Sequence, residues 1–224
     1  MRVVKIGGGA ALVRFEEVWA SDGLSSSLRS PDTVVVHGGS RHVDELSRKL
    51  GGVKIKRLTS PPSGVTFRRT TKEVLDVYLA AMMRANRELV EFLQVRGINA
   101  VGVMGIEHEL VIGRRKKLVK AVINGKTVAI RDDYSGTVER INVGALMELR
   151  KLGLPVIASV AYDPVENVPL NVDGGDKVAY HMALVTKARE LVFVSDSAFM
   201  AGGSVVERVN LNELPELLGY AKGG

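Results

Sequence analysis

The sequence predicts an α/β protein: a three-layer α/β/α sandwich on a mainly parallel open sheet, with a β-hairpin inserted in it. Three observations predict it. Short runs of β-branched and apolar residues alternate with longer stretches of helical spacing. Glycine-rich turns follow the first two strand runs, where strand passes into helix. One segment breaks the alternation with a two-residue hairpin signal.

Taken in order, Arg2–Ile6 reads as a strand that ends in the turn Gly7-Gly8-Gly9, and a helix is expected over Ala11–Leu28. Thr33–His37 is a second strand, followed by Gly38-Gly39 and a helix from Ser40 to Leu50. Pro61-Pro62-Ser63-Gly64 breaks the chain in a loop. Thr70–Arg96 is a long helix closed by Gly97. Its residues Val74, Leu75, Val77, Tyr78, Ala81, Met82, Leu89, Phe92 and Leu93 keep helical spacing. Ala100–Met104 is a strand. Leu118–Ile123 and Lys126–Arg131 then flank Asn124-Gly125, a strong hairpin signal. A helix over Val143–Leu152, a strand over Pro155–Ala161, a helix over Gly175–Lys187, a strand over Leu191–Ser195 and a helix over Leu211–Tyr220 complete the pattern. Crossover helices over buried parallel strands are the natural architecture for such alternation.

Composition narrows the function. With 46% apolar residues there is material for a packed core. No window reaches the roughly 18 unbroken apolar residues that a membrane span needs, and the chain opens directly in a strand pattern rather than in an export signal. The absence of cysteine excludes disulfides and thiolate metal sites, so a cytoplasmic enzyme is expected. A net charge of +6 attracts anions: nucleotides, nucleic acid, acidic proteins or anionic metabolites. Aromatic residues make up only 5% and do not interleave with the basic ones, which argues against a single-stranded nucleic-acid platform.

Lys5-Ile6-Gly7-Gly8-Gly9 places a lysine on a strand with three glycines just after it. Glycines let backbone N–H groups approach a phosphate, and a following helix N-terminus adds positive dipole. An ordinary tight strand–helix turn is the bland alternative. His37-Gly38-Gly39-Ser40 repeats the device on the next strand, so two anion cradles would face each other at one sheet edge. Two commoner phosphate motifs are rejected. A dinucleotide fingerprint lacks its third glycine, since Leu12 stands there, and no carboxylate ends the second strand. Gly125-Lys126-Thr127 imitates a P-loop, but Lys120 occupies the first glycine's place. His37 alone reads as a strand-end histidine, and Glu107 and His108 as surface residues rather than metal ligands.

In combination, Lys5-Ile6-Gly7-Gly8-Gly9, Val36-His37-Gly38-Gly39, Phe67-Arg68-Arg69-Thr70 and Leu170-Asn171-Val172-Asp173 resemble the amino-acid kinase superfamily, in its acetylglutamate-kinase-like group. Gly113-Arg114-Arg115-Lys116 and Asp133-Tyr134-Ser135-Gly136-Thr137-Val138-Glu139 are similar to the kinases of lysine and arginine biosynthesis whose substrate rides on a carrier protein, the LysW-aminoadipate and LysW-glutamate kinases. The likeness runs from the first strand to about Ser195.

The resemblance implies a carbamate-kinase-like fold and ATP as phosphoryl donor, with Mg²⁺ bound through the phosphates and no protein-held metal. Lys5 would bridge the β- and γ-phosphates, with Gly8 and Gly9 offering N–H groups to them. Gly38 and Gly39 would cradle the acceptor carboxylate or the transferring group. Arg68 would hold the substrate's α-carboxylate and Asn171 its amide-linked side. Asp176 would orient Lys5, with Asp173 a live rival, and Ser195 and Asp196 would lie beside the nucleotide. Arg114, Arg115 and Lys116 would dock a small acidic amino-group carrier of the LysW type, and the 70–96 helix would make a homodimer contact. Nucleic acid and membrane are not expected partners. The chemistry agrees, since a carboxylate with a reference pKa near 4.3 is already ionised at neutral pH and needs no general base.

The resemblance also divides the chain into an acceptor-binding lobe, residues 1–171, and a nucleotide lobe, residues 172–224. The latter is expected to be incomplete, because the family pattern continues past Gly224 with a second phosphate-binding lysine. Weak binding of Mg-ATP is the corresponding expectation. The segment Gly105-Ile106-Glu107-His108-Glu109 departs from the family's glycine-rich pattern at the substrate mouth. Two rival functions stay open: a free N-acetylglutamate kinase, and a non-catalytic kinase-like amino-acid sensor.

Overall fold

The computed structural model describes all residues except 10, 11, 13, 21, 22, 62, 63, 173, 174, 196–199, 202, 203, 206–211 and 213–224. In chain order its elements are β1 (Arg2–Ile6), α1 (Phe15–Trp19), α2 (Leu24–Arg29), β2 (Thr33–His37), α3 (Ser40–Leu50), β3 (Arg57–Thr59), β4 (Thr66–Arg68), α4 (Lys72–Val95) and β5 (Ala100–Met104). A single 3₁₀ turn, Glu107–Glu109, precedes β6 (Val111–Arg115), β7 (Val119–Ile123), β8 (Lys126–Ile130) and β9 (Gly136–Ile141). There follow α5 (Val143–Leu152), β10 (Leu154–Ala158), β11 (Val160–Asp163), β12 (Val168–Asn171), α6 (Asp176–Val185), β13 (Glu190–Val194), and the short β14 (Met200–Ala201) and β15 (Ser204–Val205).

The main sheet runs β13-β1-β2-β10-β5, with every pairing parallel. Successive strand side chains point to opposite faces. Val3, Val34, Val36 and Ile157 therefore pack with Leu146 and Leu149 of α5 and Val178 and Met182 of α6. Val4, Ile6, Val35 and Val156 pack on the other face with Phe15, Leu24, Leu28 and, from α4, Ala85, Leu89 and Leu93. This is the expected three-layer α/β/α sandwich. A third apolar cluster, Val43, Leu75, Tyr78, Met82, Met104, Ala158 and Val160, seats α3 against α4 at the carboxyl ends of β5 and β10. The acceptor-side turns are built on that platform.

The hairpin forms at the expected place, with Asn124 at φ 51° and Gly125 at φ 73°. Two consecutive left-handed residues match the twist of the flanking strands. It is not an isolated insertion: β7 pairs with β3, giving a small sheet β4-β3-β7-β8, and a second small sheet runs β12-β11-β6-β9.

Two expectations are corrected. The span expected as one helix, Ala11–Leu28, is interrupted among the described residues: α1 and α2 are separate helices, because Gly23, at φ 92°, starts α2 from the left-handed region. The strand expected over Pro155–Ala161 divides at Ser159, whose N–H donates to the His37 carbonyl (3.1 Å) and whose carbonyl accepts from Tyr78 Oη (2.6 Å). Past that point β11 leaves the main sheet to pair antiparallel with β12. The long helix forms as expected, over Lys72–Val95, and its apolar set packs within this chain. Its outer face carries the pairs Lys72–Asp76 and Arg84–Glu88, with Met83 exposed among them. The helix expected over Leu211–Tyr220 lies outside the described residues. No helix among the described residues is long and apolar enough to cross a membrane.

Candidate active site

Lys5 shares the face of β1 that bears Val3, and α6 begins above it. Its side chain is 11% exposed, and Nζ lies 2.7 Å from Oδ1 of Asp176. Asp176 opens α6, where a carboxylate complements the helix dipole and offsets the cost of holding an ammonium there. Of the two carboxylates left open by the sequence, Asp176 is seen on the lysine, while Asp173 lies outside the described residues.

The two glycine turns abut. A Cβ on Gly8 would stand 2.2 Å from Gly39 N and 2.5 Å from the Gly38 carbonyl carbon, closer than any side-chain carbon can come. The Gly8 carbonyl is held by the start of α3, accepting from Arg41 N–H (3.0 Å) and Ser40 Oγ (3.1 Å). A trans peptide directs the next N–H opposite to its carbonyl. Gly9 N–H thus points away from α3. Gly38 N–H is already spent on the Ile6 carbonyl (3.1 Å), so the family-implied pair Gly38 and Gly39 reduces to Gly39 as amide donor.

Arg68 ends β4 with its side chain 8% exposed. Its guanidinium donates to the Ser40 carbonyl (3.1 Å) and to Asp44 (3.0 Å). Burial pushes it below its usual pKa range, with Asp44 opposing the shift. Ser40 therefore joins Arg68 to Gly8, in the turn that follows Lys5. Asn171 is reached by a second route. Its Nδ2 donates to Thr70 Oγ1 (3.0 Å), and Thr70 Oγ1 donates to the Arg68 carbonyl (3.2 Å). Asp133, fully buried, accepts from the N–H groups of Thr70 and Ser135 and so ties these segments together.

Ser195 follows β13, and Asp196 lies outside the described residues. The basic run divides by role. Arg114 forms a two-point pair with Glu139 (3.1 and 3.2 Å). Arg115 donates to the carbonyls of Asp133 and Arg131, pairs with Glu166 and lies 4.2 Å over the Tyr134 ring. That guanidinium is engaged within the chain, whereas Lys117, Lys120 and Lys126 are exposed. Glu107 and His108 are exposed, as expected. Among the described residues no three His, Asp or Glu side chains form a group that could hold a metal ion.

Several residues of the site escaped sequence reasoning. Asp44 is one helical turn past Ser40, so helical spacing was an available signal, and Thr70 closes the Phe67-Arg68-Arg69-Thr70 motif without having been given a role. Asp133 belonged to a recognised motif without a role. Asn86 and Ser159 carried no local signal. Ser159 Oγ is buried without a hydrogen-bond partner among the described residues, 3.2 Å from where a Gly175 Cβ would be.

Comparison with known proteins identifies the family. The model of the amino acid kinase family matches residues 1–224. A Pyrococcus furiosus protein provisionally named LysW-aminoadipate/LysW-glutamate kinase is 63% identical over all of this chain and 88% of its own length. The LysW-aminoadipate kinase of Thermus thermophilus is 36% identical over all of this chain and 84% of its own. A solved Streptococcus mutans structure has the same fold, with a TM-score of 0.67 at 22% identity, covering 97% of this chain and 82% of its own.

Proposed function

The chain belongs to the amino acid kinase family, and from that premise we propose that it phosphorylates, with ATP, the side-chain carboxylate of an aminoadipate or glutamate linked to a small acidic carrier protein. The observation that carries this reading is the Lys5–Asp176 pair beside two abutting glycine turns, with Arg68 anchored to the same helix start.

The residues fit the task. The acceptor carboxylate oxygen forms a bond to the γ-phosphorus while the bond to the β-phosphate oxygen breaks, leaving ADP and an acyl phosphate. No proton moves, so positioning and charge neutralisation are the whole demand on the protein. Lys5 bridges the phosphates, and Asp176 keeps its ammonium in place. Gly8, lacking a side chain, lets the two turns meet, and Gly9 and Gly39 direct N–H groups at the phosphate. Arg68, pre-set by Asp44, takes the substrate's α-carboxylate, and Asn171 its amide-linked side. Mg²⁺ held through the phosphates would supply charge neutralisation there. Residues 1–171 serve the acceptor and the following segment, with Ser195 and Asp196, the nucleotide.

The exposed Lys117, Lys120 and Lys126, with the half-buried Lys116 beside them, form the rim for an acidic carrier, with Arg114 and Arg115 stiffening its base. The enzyme is cytoplasmic and acts in lysine or arginine biosynthesis. A homodimer through α4 would use its outer face around Ala80 and Met83, which sedimentation of Met83→Glu against wild type would test. The function is tested by incubation with Mg-ATP and either a carrier ending in glutamate or free N-acetylglutamate, trapping acyl phosphate with hydroxylamine. Hydroxamate on the carrier is expected. Hydroxamate from acetylglutamate alone selects the free-substrate kinase, and none from either, with ligand binding lost in Arg68→Ala, selects the sensor.

A further inference from the structure

The buried end of β2 holds a side-chain relay that the reaction as described does not use. His37 is fully buried. Its Nδ1 lies 2.9 Å from the Gly38 carbonyl, and its Nε2 lies 3.0 Å from Asn86 Nδ2 on α4. A carbonyl only accepts, so Nδ1 carries the proton. An amide nitrogen only donates, so Nε2 is bare. Asn86 cannot turn over, because the same Nδ2 also donates to the Val156 carbonyl at 2.9 Å. The two ends specify one neutral tautomer independently. Room for Asn86 comes from β5, where a Cβ on Gly102 would stand 2.2 Å from Asn86 Oδ1.

We propose that His37, set by Asn86, is a positioning residue that locks the Gly38–Gly39 peptide with its carbonyl inward and Gly39 N–H outward, toward the transferring phosphoryl group. This rests on the phosphotransfer reading above. The geometry follows from planarity: with Gly38 O drawn to the imidazole, the N–H of the same trans peptide faces the opposite way. Gly39 N lies against Gly8, 2.2 Å from where that residue's Cβ would be, so this peptide sits at the contact between the two turns. The other turn uses the same logic with different parts, its carbonyl held by Ser40 and Arg41. Burial keeps the imidazole neutral, pushing its pKa down to about 4. The groups around it support that state. Ile6 of β1 and Ala158 of β10 flank it in the sheet, and the titratable neighbour is His42 of α3, bonded to Glu88 of α4.

The test has a spectroscopic and a kinetic arm. Long-range ¹H–¹⁵N spectra of the wild-type protein are expected to show the Nδ1–H tautomer of His37, unchanged from about pH 5.5 to 8.5. His37→Leu, which keeps an apolar filling but loses the donor, is expected to lower kcat by about 10²-fold with the KM for ATP nearly unchanged. His37→Asn, which restores an N–H near Nδ1, is expected to recover about tenfold of that loss. An Nε2–H tautomer or an imidazolium at neutral pH overturns the relay. So does a folded His37→Leu enzyme with wild-type kcat. Wild-type protein that forms no acyl phosphate overturns the functional reading instead, and with it the purpose of the relay. An active wild type with the wrong tautomer overturns the relay alone.

Discussion

The turn after β1 and the turn after β2 are alike in composition and are held differently. The first is clamped from outside: the Gly8 carbonyl rests on a backbone amide and a hydroxyl at the start of an exposed helix. The second is clamped from inside, by an imidazole in a dry core that takes its own orders from α4. An outer clamp made of backbone tolerates side-chain change. An inner clamp made of one titratable side chain does not, and it links the catalytic loop to the packing of the sandwich.

The largest expected effect tests what the two turns share. Lys5→Ala should lower kcat by about 10²–10³-fold with the fold intact, measured as hydroxamate formation beside circular dichroism. Asp176→Asn should cost less, because it loosens the ammonium without removing it.

Glycine substitutions sharpen the contrast. Gly8→Ala should lower kcat/KM by on the order of 10²-fold, because its Cβ meets only backbone atoms of the other turn. Gly39→Ala should be milder. Its Cβ meets Met82 Sδ at 2.5 Å, the far end of a flexible side chain, and its φ of −157° suits any residue. Equal losses in the two variants would break the distinction between backbone and side-chain clamps.

The inner clamp also has a pH signature. His37 falls from 6.5 to about 4 on folding, so the unfolded chain binds the proton first as pH drops. Stability from this group is complete above about pH 6.5 and is lost as pH falls toward 4, by about 3 kcal/mol in all at about 1.4 kcal/mol per pH unit. Urea unfolding between pH 7 and 4.5 should show that limb in wild type and lack it in His37→Leu. The smallest expected effect belongs to the outer clamp. Ser40→Ala should change kcat less than about threefold, because the Arg41 amide still holds the Gly8 carbonyl.

Much of the fold was legible because it is locally encoded. Apolar runs at Arg2–Ile6 and Thr33–His37, the helical spacing of α4 and the Asn124-Gly125 turn each act within a few residues, and each formed where expected. The breaks were harder. Nothing local distinguishes Ser159 from a strand residue, since its role arises from His37 and Tyr78. The strands β3, β4 and β12 have only three or four residues and exist through their partners. At the site, Lys5, Arg68 and Asn171 were readable as motif residues. The polar scaffold of Asp44, Thr70 and Asp133 was not, because each acts across the fold. Arg115 looked like part of a docking run, and it is Tyr134, Glu166 and two carbonyls that claim it.

By itself the sequence determined the alternation of strand and helix, the two glycine turns with a lysine before the first, and the kind of chemistry such turns serve. Periodicity and backbone freedom are properties of neighbouring residues, so they survive in a linear reading. Only the tertiary structure decided which carboxylate meets Lys5, that the Gly38 amide is spent on Ile6, and that a buried histidine and asparagine bond behind the second turn. Those facts depend on hydrogen-bond partners from β1, β2, α3, α4 and β10 converging at one sheet edge, and hydrogen bonds hold only within about 3 Å.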